Sequence, residues 1–201
     1  VMSRSTQVTE GKTMKNFANS FFICMAVLAA TYSCADELSE AENHYLNGDF
    51  ESALKVFLPL ATPAIITPNG DKIAQYYLGE MFYFGSGVEQ NYSQALNWYS
   101  LSAEQGDPDS AYSIGHMHEN GHGVEKSVQL AIEWYKRAEE LGSDAATAAI
   151  GLIYVYDEGE YHALEAGLEI LTAAADTGNV DAQFYLGSIY YSGEAVAPDL
   201  D

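Results

Sequence analysis

Three histidines that lie close together, His116, His118 and His122, are the first side chains in this sequence that could hold a metal ion. Residues two apart on a helix point in different directions, whereas zinc-binding helices place two histidines four residues apart. His118 and His122 have that separation, but Gly121, a residue typical of a turn, lies between them. The spacing therefore favours structural positions for these histidines over a metal site, and the sequence predicts no cofactor.

Two glycine pairs, Gly85-x-Gly87 and Gly121-x-Gly123, are the second feature with possible chemistry, because glycine-rich loops can bind phosphate groups. In a phosphate-binding loop a strand precedes the glycines, and Lys-Ser or Lys-Thr follows the last glycine directly. We expect no strand before these two pairs, and neither pair is followed directly by such a dipeptide. The sequence also lacks the Gly-x-Ser-x-Gly motif of serine hydrolases. These observations favour a binding protein and predict that the chain is not an enzyme.

Both features belong to a repeat with a period of 36 residues. A leucine or isoleucine followed by glycine marks that period at Leu78, Ile114, Ile150 and Leu186. A fixed period of this length indicates stacked supersecondary units. In this register His118 takes a position that is aromatic in the other units, and His122 takes a turn position.

Each unit is predicted to be a pair of antiparallel helices, A and B. In the first complete unit, helix A is expected over about 71–84, because its apolar residues recur three and four apart on one face. A glycine-containing turn follows, and helix B is expected over about 93–105. The fold class predicted is all-α, a right-handed α-solenoid of antiparallel helix pairs.

The predicted organisation follows the boundaries of the repeats. We expect an upstream extension (1–13), a secretory signal peptide (14–35), an N-terminal capping repeat (36–70), repeat 1 (71–106), repeat 2 (107–142), a degenerate repeat 3 (143–178) and an incomplete repeat 4 (179–201). The last unit ends after helix A and its turn, which leaves Leu186, Ile189 and Tyr190 without a helix B. We expect either that the chain continues or that a partner or second copy covers them.

The N-terminal segment 14–35 has the pattern of a secretory signal. Met14-Lys15 precedes an apolar run, and small residues lead up to Ala35. The run is too short for a membrane span, so we expect an exported protein, periplasmic or extracellular, without an integral span in the mature chain. Lipid attachment at Cys34 is the less favoured alternative. Cleavage after Ala35 would remove both cysteines, Cys24 and Cys34, and would exclude thiol chemistry.

The chain is strongly acidic, with 29 Asp and Glu against 8 Lys and Arg and a formal net charge of −21. This balance argues against binding of nucleic acid, which requires clustered Lys and Arg. It also argues against adhesion to an anionic membrane surface. We expect the acidity mainly to keep an exported protein soluble, with recognition of a cationic partner as the alternative.

The repeat resembles the Sel1-like repeat family, a relative of the tetratricopeptide repeat. The matching residues of the first complete unit are Ala74, Leu78, Gly79, Phe82, Gly85, Gly87, Val88, Ala95, Trp98, Tyr99 and Gly106. The resemblance covers 38–201, is strongest over 71–142 and weakens over 143–178, where Asp157 and Glu160 replace turn residues. It implies an α-solenoid whose helices A line a concave surface and bind a protein or peptide.

The resemblance also implies an alternative function. Some cysteine-rich relatives are described as β-lactamases or penicillin-binding proteins, so a cell-wall- or β-lactam-directed enzyme is the second hypothesis. This chain lacks the paired cysteines of those relatives.

A stripe of helix A beside its apolar face supplies the candidate partner-binding residues. They are Tyr76, Glu80 and Tyr83 in repeat 1, Tyr112, His116 and Glu119 in repeat 2, and Phe184 and Tyr191 in repeat 4. Exposed tyrosines beside carboxylates suit the recognition of a peptide or a protein helix. The alternative is that these tyrosines pack between repeats.

Overall fold

The computed structural model describes residues 35–64 and 67–193, and all regular structure within them is helical. The predicted extension (1–13), the signal peptide up to residue 34 with Cys34, and residues 194–201 lie outside the described residues, so those expectations stay predictions. The chain divides into two compact units at the boundary between Gly70 and Asp71. None of the helices in the described part combines the length and the apolar character needed to cross a membrane.

The first unit contains helix α1 (35–46) and helix α2 (Phe50–Ala61). Gly48, at φ 77°, forms the turn between them, and the Asp49 side chain accepts a hydrogen bond from the Ser52 amide at 3.3 Å. That bond caps α2, because it satisfies one of the free N–H groups of the first helical turn. The buried residues of α2 are four apart and share one face: Ala53, Phe57 and Ala61.

The second unit consists of helix pairs that repeat with equal lengths. Its helices are α3 (Lys72–Phe84), α4 (Tyr92–Glu104), α5 (Pro108–Asn120), α6 (Val128–Glu140), α7 (Asp144–Tyr156), α8 (Leu164–Asp176) and α9 (Val180–Ser192). The odd-numbered helices are the predicted helices A and the even-numbered ones the helices B, which confirms the all-α repeat fold. Helix α4 begins one residue earlier than predicted, because the Asn91 side chain accepts a hydrogen bond from the Gln94 amide at 3.0 Å and caps it.

Glycines end the first two helices A as the sequence predicts. Gly85 and Gly121 have φ of 73° and 74°, and each donates its N–H to a methionine carbonyl of the preceding helical turn. This left-handed conformation is one that glycine adopts without steric cost.

Helix α7 ends in a different way, because Asp157 stands where the other units have glycine. Its carboxylate accepts hydrogen bonds from the amides of Gly159 and Tyr161, both at 3.0 Å, and so organises the turn. The amide of Ala163 then donates to the Tyr154 carbonyl at 2.8 Å. The equivalent bond from Asn91 to Phe82 in the first repeat has the same length. The degenerate repeat therefore keeps the helical hairpin with a side-chain-stabilised turn.

In repeats 1 to 3, the glycine of the Leu/Ile-Gly dipeptide lies beneath a large side chain of helix B. A Cβ atom placed on Gly115 would lie 2.7 Å from Cδ1 and Cε1 of Tyr135, and Gly79 lies against Tyr99 in the same way. Tyr99 and Tyr135 are among the largest fully buried side chains. In these repeats the periodic glycine is thus required by the close approach of helix B to helix A.

The helix pairs stack so that each helix B contacts the helix A of the following repeat. Helices A also contact one another, α3 with α5 and α7 with α9, whereas no comparable packing joins successive helices B within residues 71–193. These contacts place α3 beside α5 and α7 beside α9 on one side of the stack, which we call the inner side.

Helix α9 departs in one respect from the sequence-based expectation. Ile189 is not uncovered but 1% exposed, because it packs with Leu171 of α8 and Val155 of α7. Leu186 is partly buried against the same cluster, and Tyr190 is 58% exposed.

Candidate functional site

A pocket of about 280 Å³ opens on the inner side of the stack between α3 and α5. Its lining is aromatic and acidic: Tyr76, Glu80, Tyr83, Phe84, Tyr99, Asp109, Tyr112, Ser113 and His116. Five of the predicted stripe residues meet here. The three tyrosines among them are half-buried: part of each side chain packs against the core, and part of it lines the pocket.

A second pocket of about 390 Å³ continues from the first across α5, α7 and α9. Its lining consists of Tyr112, His116, Glu119, Asn120, Tyr135, Ala145, Ala149, Leu152, Asp181 and Tyr185. The two pockets share Tyr112 and His116, and we call them together the inner groove. Alanines 145 and 149 of α7 replace the larger residues Asp109 and Ser113 of α5 in register, which leaves room for the groove to reach α9.

The stripe residues of repeat 4 do not join the groove. Phe184 and Tyr191 are 70% and 95% exposed and line neither pocket. In α3 and α5 the equivalent positions face the next helix A, and within the described residues no helix A follows α9. The groove instead uses Asp181 and Tyr185, on the side of α9 that faces the preceding repeat. The predicted stripe omitted that side of helix A.

Each of the first two repeats holds a carboxylate of the groove with a buried tyrosine. The Tyr99 hydroxyl donates to Glu80 at 2.6 Å, and the Tyr135 hydroxyl donates to Glu119 at 2.6 Å. Burial raises the pKa of both phenols, so they remain hydrogen-bond donors at neutral pH. Burial also raises the pKa of the Glu80 carboxyl, and the Tyr99 hydrogen bond opposes that effect.

Repeat 3 replaces this polar pair by an apolar one. Leu171 takes the register position of the tyrosines, and it packs in one cluster with Leu152 and Val155, which take the positions of the glutamates. Since donor and acceptor are replaced together, no carboxylate is left without its partner.

Tyr83 joins two histidines at the rim of the first pocket. Its hydroxyl lies 2.7 Å from Nδ1 of His122 and 3.3 Å from Nδ1 of His116. A hydroxyl has one hydrogen to donate, so it donates to one ring and accepts from the other. The ring of Tyr92 stacks on His122 at a centroid distance of 4.9 Å, which fixes the turn against the preceding repeat. Burial lowers the pKa of His116, although the neighbouring Glu119 opposes this shift.

The sequence spacing of the histidines did not predict that His116 and His122 lie next to each other. His116 and His122 come together, with ring centroids 6.1 Å apart, because the turn brings residue 122 back over helix A. His118 is separate, with a buried Nδ1 that has no hydrogen-bond partner. In the described part of the chain, no three His, Cys, Asp or Glu side chains are arranged to hold a metal ion.

The inner groove has a negative charge. Four carboxylates line it, Glu80, Asp109, Glu119 and Asp181, and no lysine or arginine is among its described lining residues. Burial also raises the pKa of Asp109, with a smaller contribution from the nearby Asp107. The aromatic walls and this uncompensated charge are suited to contact with another molecule.

Stacked helical hairpins with a preformed inner groove define a helical-repeat protein of the kind that binds other proteins. Residues 72–107, 108–143 and 180–201 match the Sel1 repeat family model, which confirms the resemblance. Residues 144–179, between the second and third matches, contain the α7–α8 hairpin. This hairpin differs from the others in its Asp157 turn and in having Leu171 where the first two repeats have a buried tyrosine.

Two solved structures are similar over most of this chain. A Sel1 repeat protein from Oxalobacter formigenes has 28% sequence identity to this chain and a TM-score of 0.62. The match covers 82% of this chain and 63% of that protein. A protective antigen present in uropathogenic Escherichia coli strains, which displays an SLR fold, has 30% identity and a TM-score of 0.65. The match covers 83% of this chain and 35% of that antigen. The chain thus spans less than two thirds of either protein, and no curated protein matches its sequence.

Proposed function

We propose that this protein is a scaffold that binds a peptide segment of another protein along the inner groove. Sel1 repeat proteins generally mediate protein–protein interactions, and the family is typically non-catalytic. The observation that carries the proposal is the preformed pocket between α3 and α5, where tyrosines from two repeats meet around carboxylates.

The tyrosines of the pocket are held in place before any partner arrives. Tyr76 lies against the buried Tyr99 at a ring-centroid distance of 6.1 Å, and Tyr112 lies against the buried Tyr135 at 5.1 Å. Tyr83 is fixed by its contacts with the two histidines. Fixed aromatic side chains lose little conformational entropy on binding, which favours their use as binding anchors.

The same pocket contains a serine and a histidine, and their contacts favour binding over nucleophilic catalysis. Ser113 interacts with Tyr99 and opposes the rise that burial causes in the Tyr99 pKa, whereas Nδ1 of His116 contacts Tyr83. A nucleophile requires a base within hydrogen-bond reach, and these two side chains have different partners.

Selection of peptides from an unbiased display library on the purified protein tests the proposal. We expect Tyr112→Ala to weaken the affinity for the selected peptides by about 10-fold or more, as for a central aromatic anchor. The matched control is Tyr190→Ala, which removes a tyrosine that is 58% exposed and lines neither pocket. Far-UV circular dichroism of both variants checks that they stay folded. Equal binding by folded Tyr112→Ala and wild type would contradict the proposal.

We also propose that the protein acts outside the cytoplasm. The support is the sequence pattern of 14–35, with its basic start, apolar run and small residues before Ala35. A fusion of 14–45 to alkaline phosphatase, which becomes active only after export, should be active in a bacterial host, and deletion of 21–30 should abolish that activity. A fusion that remains inactive although it is expressed would contradict export.

A further inference from the structure

We infer that the bound segment is basic and that one of its arginine side chains occupies the pocket between α3 and α5. The inference rests on the proposed function, because it names the chemistry of the partner at the same groove. It goes further in assigning Glu80 and Asp109 as the residues that select a positive charge.

The first argument is the charge of the pocket. Glu80 on α3 and Asp109 on α5 are close enough that the charge of Asp109 contributes to the raised pKa of Glu80. Two partly desolvated carboxylates repel each other, and a cation between them relieves both the repulsion and the loss of hydration. No lysine or arginine of the pocket lining supplies that cation.

The second argument is the aromatic wall. Tyr76, Tyr83 and Tyr112 line the same pocket as these carboxylates. The face of an aromatic ring attracts a cation, and the attraction grows when the cation is desolvated. A pocket with both aromatic rings and carboxylates suits a planar cation, which can stack its faces on the rings and donate hydrogen bonds from its edges to the carboxylates.

This combination favours arginine over lysine. The guanidinium group is planar, stacks on aromatic rings, and can donate to two carboxylates at once through its fork of N–H groups. The lysine ammonium is compact and strongly hydrated, so it loses more hydration on entering such a pocket.

The charge of the whole chain acts in the same direction over a longer range. With a formal net charge of −21, the protein attracts a basic segment and repels an acidic one before contact, and salt screens this effect. The negative charge, which we expect to keep the protein soluble, would then also attract the basic partner toward the groove.

Two libraries that differ only in the presence of arginine and lysine provide the first test. We expect peptides that bind the inner groove to come from the complete library and not from the library without basic residues. The complete library should give peptides whose affinity falls about 10-fold or more when their arginine is replaced by citrulline, which has the same shape without the charge. Replacement by lysine should cause a smaller loss.

The variant Glu80→Gln tests the same contact from the side of the protein. Its amide oxygen can still accept the Tyr99 hydrogen bond, and removal of a charge that burial disfavours should not lower the stability at pH 7. We expect Glu80→Gln to weaken binding of the arginine peptide about 10-fold and to leave binding of the citrulline peptide unchanged. The matched control Glu104→Gln alters an exposed carboxylate of helix α4 and should leave both affinities unchanged.

The results of these tests distinguish peptide binding in the inner groove from the selection of arginine by the pocket. Peptides that lose affinity with Tyr112→Ala, but bind equally well with citrulline or to Glu80→Gln, would overturn the inference and leave the proposed function standing. Peptides that are insensitive to Tyr112→Ala as well as to Glu80→Gln would overturn both.

Discussion

Gly115→Ala is expected to lower the free energy of unfolding by about 2 kcal/mol or more. An alanine inside a helix normally stabilises it by about 1 kcal/mol relative to glycine. Here the new Cβ would lie 2.7 Å from two ring carbons of Tyr135, a side chain that is fully buried and whose hydroxyl is bonded to Glu119. Relief of the clash requires the buried ring to shift and strain its bond to Glu119, or α5 and α6 to separate, and either change disturbs the packing.

Gly187→Ala is the matched control for this prediction. Gly187 holds the same register position in α9, and a Cβ placed on it meets nothing within 4 Å. We therefore expect a gain of up to about 1 kcal/mol from helix propensity alone. Urea denaturation followed by circular dichroism measures both variants. If Gly115→Ala proved as stable as the wild type, the close contact of helix B with the periodic glycine would not exist in solution.

Tyr135→Leu is expected to cost about 3 kcal/mol of stability. The substitution removes part of a fully buried aromatic ring and leaves the Glu119 carboxylate without the hydroxyl that donates to it at 2.6 Å. Loss of buried volume and loss of a hydrogen bond to a charged group each cost on the order of 1–3 kcal/mol. Leucine is nevertheless the natural residue at this position in repeat 3, Leu171.

The double variant Tyr135→Leu/Glu119→Val reproduces the solution found in repeat 3, where Leu171 packs with Val155. It removes the unpartnered carboxylate, so we expect it to be more stable than Tyr135→Leu by about 1 kcal/mol or more. A double-mutant cycle by urea denaturation gives the coupling between the two sites. Additive effects would show that the tyrosine–glutamate pair is not a coupled unit.

The repeat period predicts most of the fold because it reflects contacts within one hairpin. Gly85 and Gly121 end their helices, and Asp71 and Asp107 cap the start of α3 and α5, so local chemistry sets these boundaries. The hairpin of repeat 3 is harder to predict. Its turn depends on hydrogen bonds from the Asp157 side chain instead of glycine, which a motif based on glycines does not reveal.

The candidate site could be predicted only in part, because it forms between repeats. Helical spacing puts Tyr76, Tyr83 and Tyr112 on one stripe of helix A, and these three residues line the same pocket. The sequence does not reveal how one repeat rotates against the next, and this rotation brings His122 onto Tyr83 and Tyr185 into the groove. One feature of the repeat could have been used: Tyr99 and Tyr135 occupy the same repeat position in helix B, and each donates to a glutamate of its own helix A.

The most direct test of the inner groove as the binding site is an NMR titration of the ¹⁵N-labelled protein with a peptide selected from the complete library. The account predicts that the amide shifts that change most lie in α3 and α5, around residues 76–84 and 109–116, with smaller changes in α7 and around residues 181–185. Changes confined to the helices B, over residues 92–104 and 128–140, with α3 and α5 unaffected, would contradict it.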